Sequence, residues 1–307
     1  MQQADHSSAT AFVPGHITGF FSAHTATTCA RAGSRGAGIA LTDGVEVTVT
    51  PGSGLQLNGE EIEMLPVADV CTRLGVDAAV DATTPLPVGA GFGVSGALTL
   101  GAALAANTVF DRGKTENELI TLAHCAEVEA GTGLGDVIAQ ARGGMPIRID
   151  PGSPSHSRVD GVAARPRIEY ISFGEISTET VLAGDTDDLT RAGESALSHL
   201  LERPTLGRFM TASRGFADDA GLVTEEVAAA IDAVAAVGDD SGDGIHSSAA
   251  MAMLGNTVFA TGRGLSAAGY DAQQCRVDAG GARLCDPSTD DPEERTFCPR
   301  SRKPDNE

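Results

Sequence analysis

The sequence predicts an α+β fold, and three observations carry that prediction. The first third of the chain alternates apolar and polar residues as antiparallel strands do, most clearly in VEVTVT at 45–50. A run of small residues from Ser95 to Asn107 reads as a helix, and residues 187–237 repeat apolar positions at helical spacing. The strand-rich first third offers no parallel half-domain of the doubly wound kind.

Taken in order, VEVTVT forms a strand, PGSG (51–54) a turn, and LQLNGEEI (55–62) its hairpin partner. LPVADVCTRLG (65–75) is a short helix with Pro66 in its first turn and Gly75 at its end. AAVDATTPLP (78–87) runs extended into a glycine-rich stretch. Thr115 and Glu118 then form a capping box ahead of a helix whose Leu119, Leu122, Ala123 and Ala126 recur at helical spacing, and Gly131 ends it. Asp136 opens the helical VIAQAR, MPIRI (145–149) is a strand, residues 150–166 have the composition of a connector, and RIEYISF (167–173) is a strand again. Thr224 caps the helix EEVAAAIDAVAAVG, DDSGDG (239–244) is a loop, NTVFATG (256–262) a strand, and the tail from 286 is charged and expected to be disordered.

The 307 residues hold 42 acids against 21 bases, a net charge of −21, and only two of the bases are lysines, Lys114 and Lys303. Such a surface repels nucleic acid and anionic lipid, so neither is an expected partner. The charge and the scarcity of lysine point to a protein kept soluble in concentrated salt, as in a halophile's cytoplasm. MQQADHSSATAFVPG has no basic segment followed by an apolar one, so no secretory signal is expected and the protein is expected to be cytoplasmic. The six cysteines form no C-x-x-C pair and share no zinc spacing with histidine, and are expected to be free thiols. His24, His124, His199 and His246 form no metal-ligand pattern.

The uncharged PVGAGFGVSGALTLGAALAAN (87–107) admits several readings. As a membrane span it fails, because its glycines, with Pro85 and Pro87, leave too short a helical remainder. Gly91, Gly93 and Gly96 match G-x-G-x-x-G, with Asp111 downstream, but the two prolines stand where a parallel strand must supply ladder donors. TVFDRGKT misses the Walker A loop by having Thr108 in place of its first glycine. A glycine loop feeding a helix N-terminus remains, and it binds an anion with backbone amides and the helix dipole, without lysine. The same glycines would equally serve close packing against a neighbouring element.

PVGAGFGVSGA resembles the P-x-x-x-G-L-G-S-S-A-A motif of the GHMP small-molecule kinases, named for galactokinase, homoserine kinase, mevalonate kinase and phosphomevalonate kinase. Phe92 stands for the leucine, Val94 and Ser95 for the serine pair, and Gly96 for an alanine. FVPGHITGFFSAH lies where the family has its N-terminal P-G segment, EVEAGTGLGDVIAQARGG resembles its H-G-x-x-S-G-x-D segment, and AMLGNTVFA replaces its third, glycine-rich motif. Together with RAGSRGAG, these segments resemble the archaeal branch of the family that phosphorylates pantoate, over residues 10 to about 280.

The resemblance implies a ribosomal-protein-S5-like N-terminal lobe (10–165), a ferredoxin-like C-terminal lobe (166–285), and a homodimer. It also implies ATP-dependent phosphorylation of pantoate's primary hydroxyl to 4-phosphopantoate, on the route to coenzyme A. Pro87, Gly89, Gly91, Phe92, Gly93, Ser95 and Gly96 would hold the ATP phosphates. Ser95 and Glu127 would hold Mg²⁺, with Glu129 the competing carboxylate, and Asp136 would accept or orient the hydroxyl proton. Arg31 or Arg35 would grip the substrate carboxylate, His16 takes the place of a lysine common in the family, and Gly255 and Asn256 would close over the substrate. Plainer roles stand beside these: helix caps for Ser95 and Asp136, a solvated helix face for either glutamate, surface positions for the arginines. Another GHMP-type acceptor, such as homoserine or mevalonate, or a non-catalytic metabolite sensor, would use the same fold.

The charge makes a first prediction. The Debye length grows from about 3 Å at 1 M salt to about 10 Å at 0.1 M, so diluting KCl across that range should unscreen the acids and lower the melting temperature. A melting curve unchanged in dilute buffer counts against adaptation to salt.

Overall fold

A computed structural model describes residues 7–174, 187–237, 248–253 and 255–285. The DDSGDG loop and the tail from 286 lie outside these described residues. Two long strands, β1 (Ala9–His24) and β2 (Gly33–Pro51), pair antiparallel from Ala9 opposite Val49 to His24 opposite Gly33. β2 pairs next with β5 (Ala78–Thr83), which takes β3 (Leu55–Leu57) and then β4 (Glu60–Glu61) on its far side. β6 (Pro146–Arg148) and β7 (Val159–Gly161) join the other end of β2, and β12 (Arg283–Cys285) returns to β1. LQLNGEEI is therefore not the hairpin partner of VEVTVT, as expected from alternation. Leu55–Leu57 runs parallel to β5, where Leu55 and Leu57 bury one face, and β1 is the long partner of β2.

Helix α1 (Leu65–Leu74) has Pro66 at its start and closes on Gly75 in the left-handed region. Helix α2 (Val94–Val109) is buried at nearly every position through Ala106, which is why its sequence has no polar face. Its small residues let it approach the sheet closely, and Gly101 lies directly over Val47. α3 (Glu116–Ala130) begins with the expected box, Thr115 and Glu118 each bonded to the other's backbone, and α4 (Asp136–Arg142) follows.

The second sheet is antiparallel in the order β11 (Gln273–Arg276), β8 (Arg167–Ser172), β10 (Thr257–Thr261), β9 (Ala249–Ala252). Helices α5 (Asp187–Glu202), α6 (Leu206–Asp219) and α7 (Glu225–Val237) accompany it, with the short α8 (Gly264–Ala267). Phe209 of α6 joins the two sheets, its ring 6.2 Å from Phe20 of β1 and 6.1 Å from Phe259 of β10. Each of these rings is fully buried and contributes about 1.5–3 kcal/mol.

The cysteines are not all free thiols. Cys29, in the turn between β1 and β2, forms a disulfide with Cys125 of α3, and Cys285 is also disulfide-bonded. Cys71 and Cys275 are free. A spacing of 96 residues carries no local pairing signal, since only the fold brings the two α-carbons to 4.9 Å.

Gly193 of α5 packs directly on the backbone of Phe21 and Ser22, and a Cβ there would overlap the Phe21 carbonyl. Backbone cannot yield as a side chain can, so Gly193→Ala should destabilise by about 3 kcal/mol, at the upper end for overpacking. Chemical denaturation reads this directly, and a loss under about 0.5 kcal/mol would contradict the close approach.

Candidate active site

The glycine loop lies between β5 and α2, and Gly89, Gly91 and Gly93 all adopt positive φ, at 76°, 87° and 64°. Three of its carbonyls are held by the body of the protein. Ala90 O accepts from Thr257 Oγ1 at 2.9 Å, Phe92 O from the His16 amide at 2.9 Å, and Gly93 O from Gln140 Nε2 at 2.8 Å. Across a trans peptide the N–H points opposite to the carbonyl, so the amides of Gly91, Gly93 and Val94 point away from these three anchors. Gly93 is the N-cap of α2 and no side chain caps that helix. Outward amides and an uncapped helix N-terminus form a site for an anion.

Pro87 begins this loop, and the Phe92 side chain turns inward, 1% exposed, its ring 4.8 Å from that of Tyr170. Gly96 lies in the first turn of α2, against Gln140, Val137 and Asp136 of α4. Ser95 does not cap α2, a place Gly93 takes. Its hydroxyl instead donates to both oxygens of Glu127, at 2.8 and 3.0 Å. Thr99 and Thr132 donate to the same carboxylate at 2.7 and 2.9 Å. Glu127 is 2% exposed and receives hydroxyls but no basic side chain. Burial pushes its pKa up, the hydroxyls pull it back, and the charge of Asp136 adds to the rise. Glu129 lies on the outer face of α3, paired with Arg73.

Asp136 is the first residue of α4, whose N-cap is Gly135. Its Oδ1 lies 2.7 Å from His16 Nδ1 and 3.4 Å from Thr18 Oγ1. About a quarter of its side chain stays exposed (26%), and it borders a small hollow together with His124, Glu127, Gly133, Gly135 and Val137. His16 is completely buried, and burial holds its pKa below the ordinary value against the pull of Asp136, so it is neutral at pH 7. Nδ1 therefore carries the proton and donates it to the carboxylate, while Nε2 has no partner. Burial pushes Asp136 up, but the hydrogen bond from His16 and the charge of Arg148, with the Thr18 hydroxyl, outweigh it and keep the carboxyl below the usual range.

Arg148 is a site residue that reading MPIRI as a strand does not reveal. It is 3% exposed, and its Nε and Nη1 have no hydrogen-bond partner among the described residues. Burial lowers its pKa and Asp136 opposes the fall, but a guanidinium keeps its charge. Gly135 gives it room: a Cβ there would lie 2.6 Å from Nε. A buried, under-bonded guanidinium near a candidate base is a place for an anionic group of a substrate. His124, another site residue the sequence alone did not mark, borders the hollow and bonds the Ala32 carbonyl at 2.9 Å through Nε2.

The arginines named from the sequence are placed otherwise. Arg35 donates Nε to Ile149 O at 2.8 Å and pairs with Glu194 of α5, and Arg31 sits exposed in the turn after Cys29. Met253 N bonds Thr18 O, and Gly255 packs on Ala90, so these two residues touch β1, which carries His16, and the glycine loop. Asn256 accepts from the Thr224 hydroxyl at 2.8 Å.

Among the described residues no three His, Cys, Asp or Glu side chains form a metal cluster. A carboxylate with hydroxyl ligands and no basic partner, beside an anion site, still fits Mg²⁺, which takes one or two carboxylates together with phosphate oxygens.

Residues 63–144 match the GHMP kinases N terminal domain. The pantoate kinase of Methanocaldococcus jannaschii is 34% identical over 81% of this chain and 90% of its own, and that of Thermococcus kodakarensis is 33% identical over 81% and 86%. A solved structure described as a phosphotransferase related to the CoA biosynthesis pathway superposes with a TM-score of 0.79 at 27% identity, covering 91% of this chain and 98% of that one.

The raised Glu127 sets a pH prediction. A cation must displace the proton Glu127 holds, so affinity for Mg²⁺ with a non-hydrolysable ATP analogue should fall toward tenfold per pH unit once pH drops below that group's value. In Glu127→Gln that part of the slope, measured by titration calorimetry, should vanish and leave only the nucleotide's own. Identical slopes in the two proteins would remove Glu127 from the metal site.

Proposed function

The chain belongs to the pantoate kinase family of the GHMP kinases, and we propose that it transfers the γ-phosphoryl group of ATP to the primary hydroxyl of pantoate, forming 4-phosphopantoate for coenzyme A biosynthesis. The observation that carries the acceptor is Arg148: a buried guanidinium with two unpartnered nitrogens, close enough to Asp136 for the two charges to interact, suits a carboxylic acid whose hydroxyl must reach the base. Nucleotide and acceptor sites meet in the lobe of residues 10–165, with 166–285 as the second lobe. The protein acts as a cytoplasmic homodimer without nucleic-acid or membrane partners. No helix among the described residues is long and apolar enough to cross a membrane.

In this reading the amides of Gly91, Gly93 and Val94 and the N-terminus of α2 hold the polyphosphate. Glu127 and Ser95 hold Mg²⁺, which when bound neutralises phosphate charge as the phosphoryl group transfers. Asp136, kept ionised by His16 and Arg148, faces the acceptor hydroxyl and takes its proton as oxygen attacks phosphorus and the bond to the β-phosphate oxygen breaks. His16 touches the base rather than the substrate, fixing the carboxylate from behind.

Incubation with Mg-ATP and a panel of hydroxy acids tests the assignment. Pantoate should be the best acceptor, and equal turnover of homoserine or mevalonate removes it. Asp136→Asn should lower turnover by about 10²-fold or more with nucleotide affinity nearly unchanged. Arg148→Met should raise the KM for pantoate by about 10–100-fold, the worth of a hydrogen bond to a charged group, and leave that for ATP alone.

A further inference from the structure

We propose that Gln140 is a positioning residue for phosphoryl transfer, its side-chain amide setting the distance between the glycine loop and the helix that carries Asp136. The proposal rests on the kinase reading above. Gln140 lies one turn after Asp136, so the two share a face of α4, and that face packs on the start of α2. A Cβ on Gly93 would meet Gln140 Nε2 at 3.0 Å and Asp136 Cβ at 3.3 Å. One on Gly96 would meet Gln140 Oε1 at 3.0 Å and Asp136 Cβ at 3.4 Å. Any side chain at either glycine would press on both residues.

The hydrogen bond from Nε2 to Gly93 O ties the last peptide of the loop to this face. Gly93 O also accepts from the Ala97 amide, so the same carbonyl starts the hydrogen-bond ladder of α2. One side chain thus fixes where the outward amides begin, relative to the base. Filling the space alone would not call for glutamine. The residue is wholly buried and its Oε1 has no partner among the described residues, a cost that methionine or leucine would avoid. What the amide supplies is the donor to Gly93.

Gln140→Met keeps the length and removes that donor. By hydrogen–deuterium exchange the first hydrogen-bonded amides of α2, those of Ala97 and Leu98, should lose protection at least tenfold while α3 is unchanged. Turnover should fall tenfold or more, with affinity for a non-hydrolysable ATP analogue within threefold. Because the effect works through the alignment of Asp136, adding Gln140→Met to Asp136→Asn should cost less than a further threefold, whereas simple damage to packing would cost the full factor again. Should Gln140→Met fail to fold, Gln140→Leu makes the same test, since it too lacks the donor. Unchanged exchange at Ala97 and Leu98, turnover within twofold of wild type, or a full multiplicative loss in the double variant overturns the proposal. A wild-type protein that leaves pantoate untouched defeats the acceptor assignment instead, and the exchange experiment still decides for or against the Gln140 tether.

Discussion

A carboxylate kept charged in a mostly closed site must be met by donors and by positive charge, and the surroundings of Asp136 are shaped by that demand. His16 supplies an N–H from one side and Arg148 a positive field from the other. Both need space that only glycine leaves. Gly38 lies against the His16 ring, and Gly135 against Ser34 and Arg148. The wealth of glycine in this chain thus serves two ends: some residues take backbone conformations that other residues rarely adopt, and others make room for large polar groups beside the base.

The phosphate cradle answers a different demand. In the proposed reading a chain with two lysines would bind a polyanion through peptide dipoles, and dipoles act only when their directions are fixed. Three carbonyl anchors from three separate parts of the molecule, the second sheet, β1 and α4, supply that direction. The two sheets are consequently joined at the site itself, through Thr257 as much as through the Phe20–Phe209–Phe259 stack.

Most of the helices were legible in the sequence because their ends carry local chemistry: Pro66 and Gly75, Thr115 with Glu118, Gly131, Thr224. The glycine loop was legible as a loop leading into a helix for the same reason. Pairings that depend on distant residues were not. Leu55–Leu57 alternates like a hairpin strand but finds β5, and Cys29 finds Cys125 only after the sheet and α3 are in place. Arg148 sits in a short apolar strand, and nothing local distinguishes a buried arginine from one reaching solvent. Gln140 reads as an ordinary helical residue until the glycine at 93 is brought beside it.

The Cys29–Cys125 bond has a topological effect as well. It closes residues 29 to 125 into a covalent ring that contains β2, α1, β5, the glycine loop, Ser95 and the whole of α2. His16 lies before the ring, and Glu127, Asp136, Gln140 and Arg148 after it. The glycine loop is thus carried on a closed loop, and the residues proposed to act on the acceptor on the two open arms leaving it. A single cut of the backbone within the ring, at the exposed turn around Gly59 for instance, leaves one covalent molecule with all its site residues still attached.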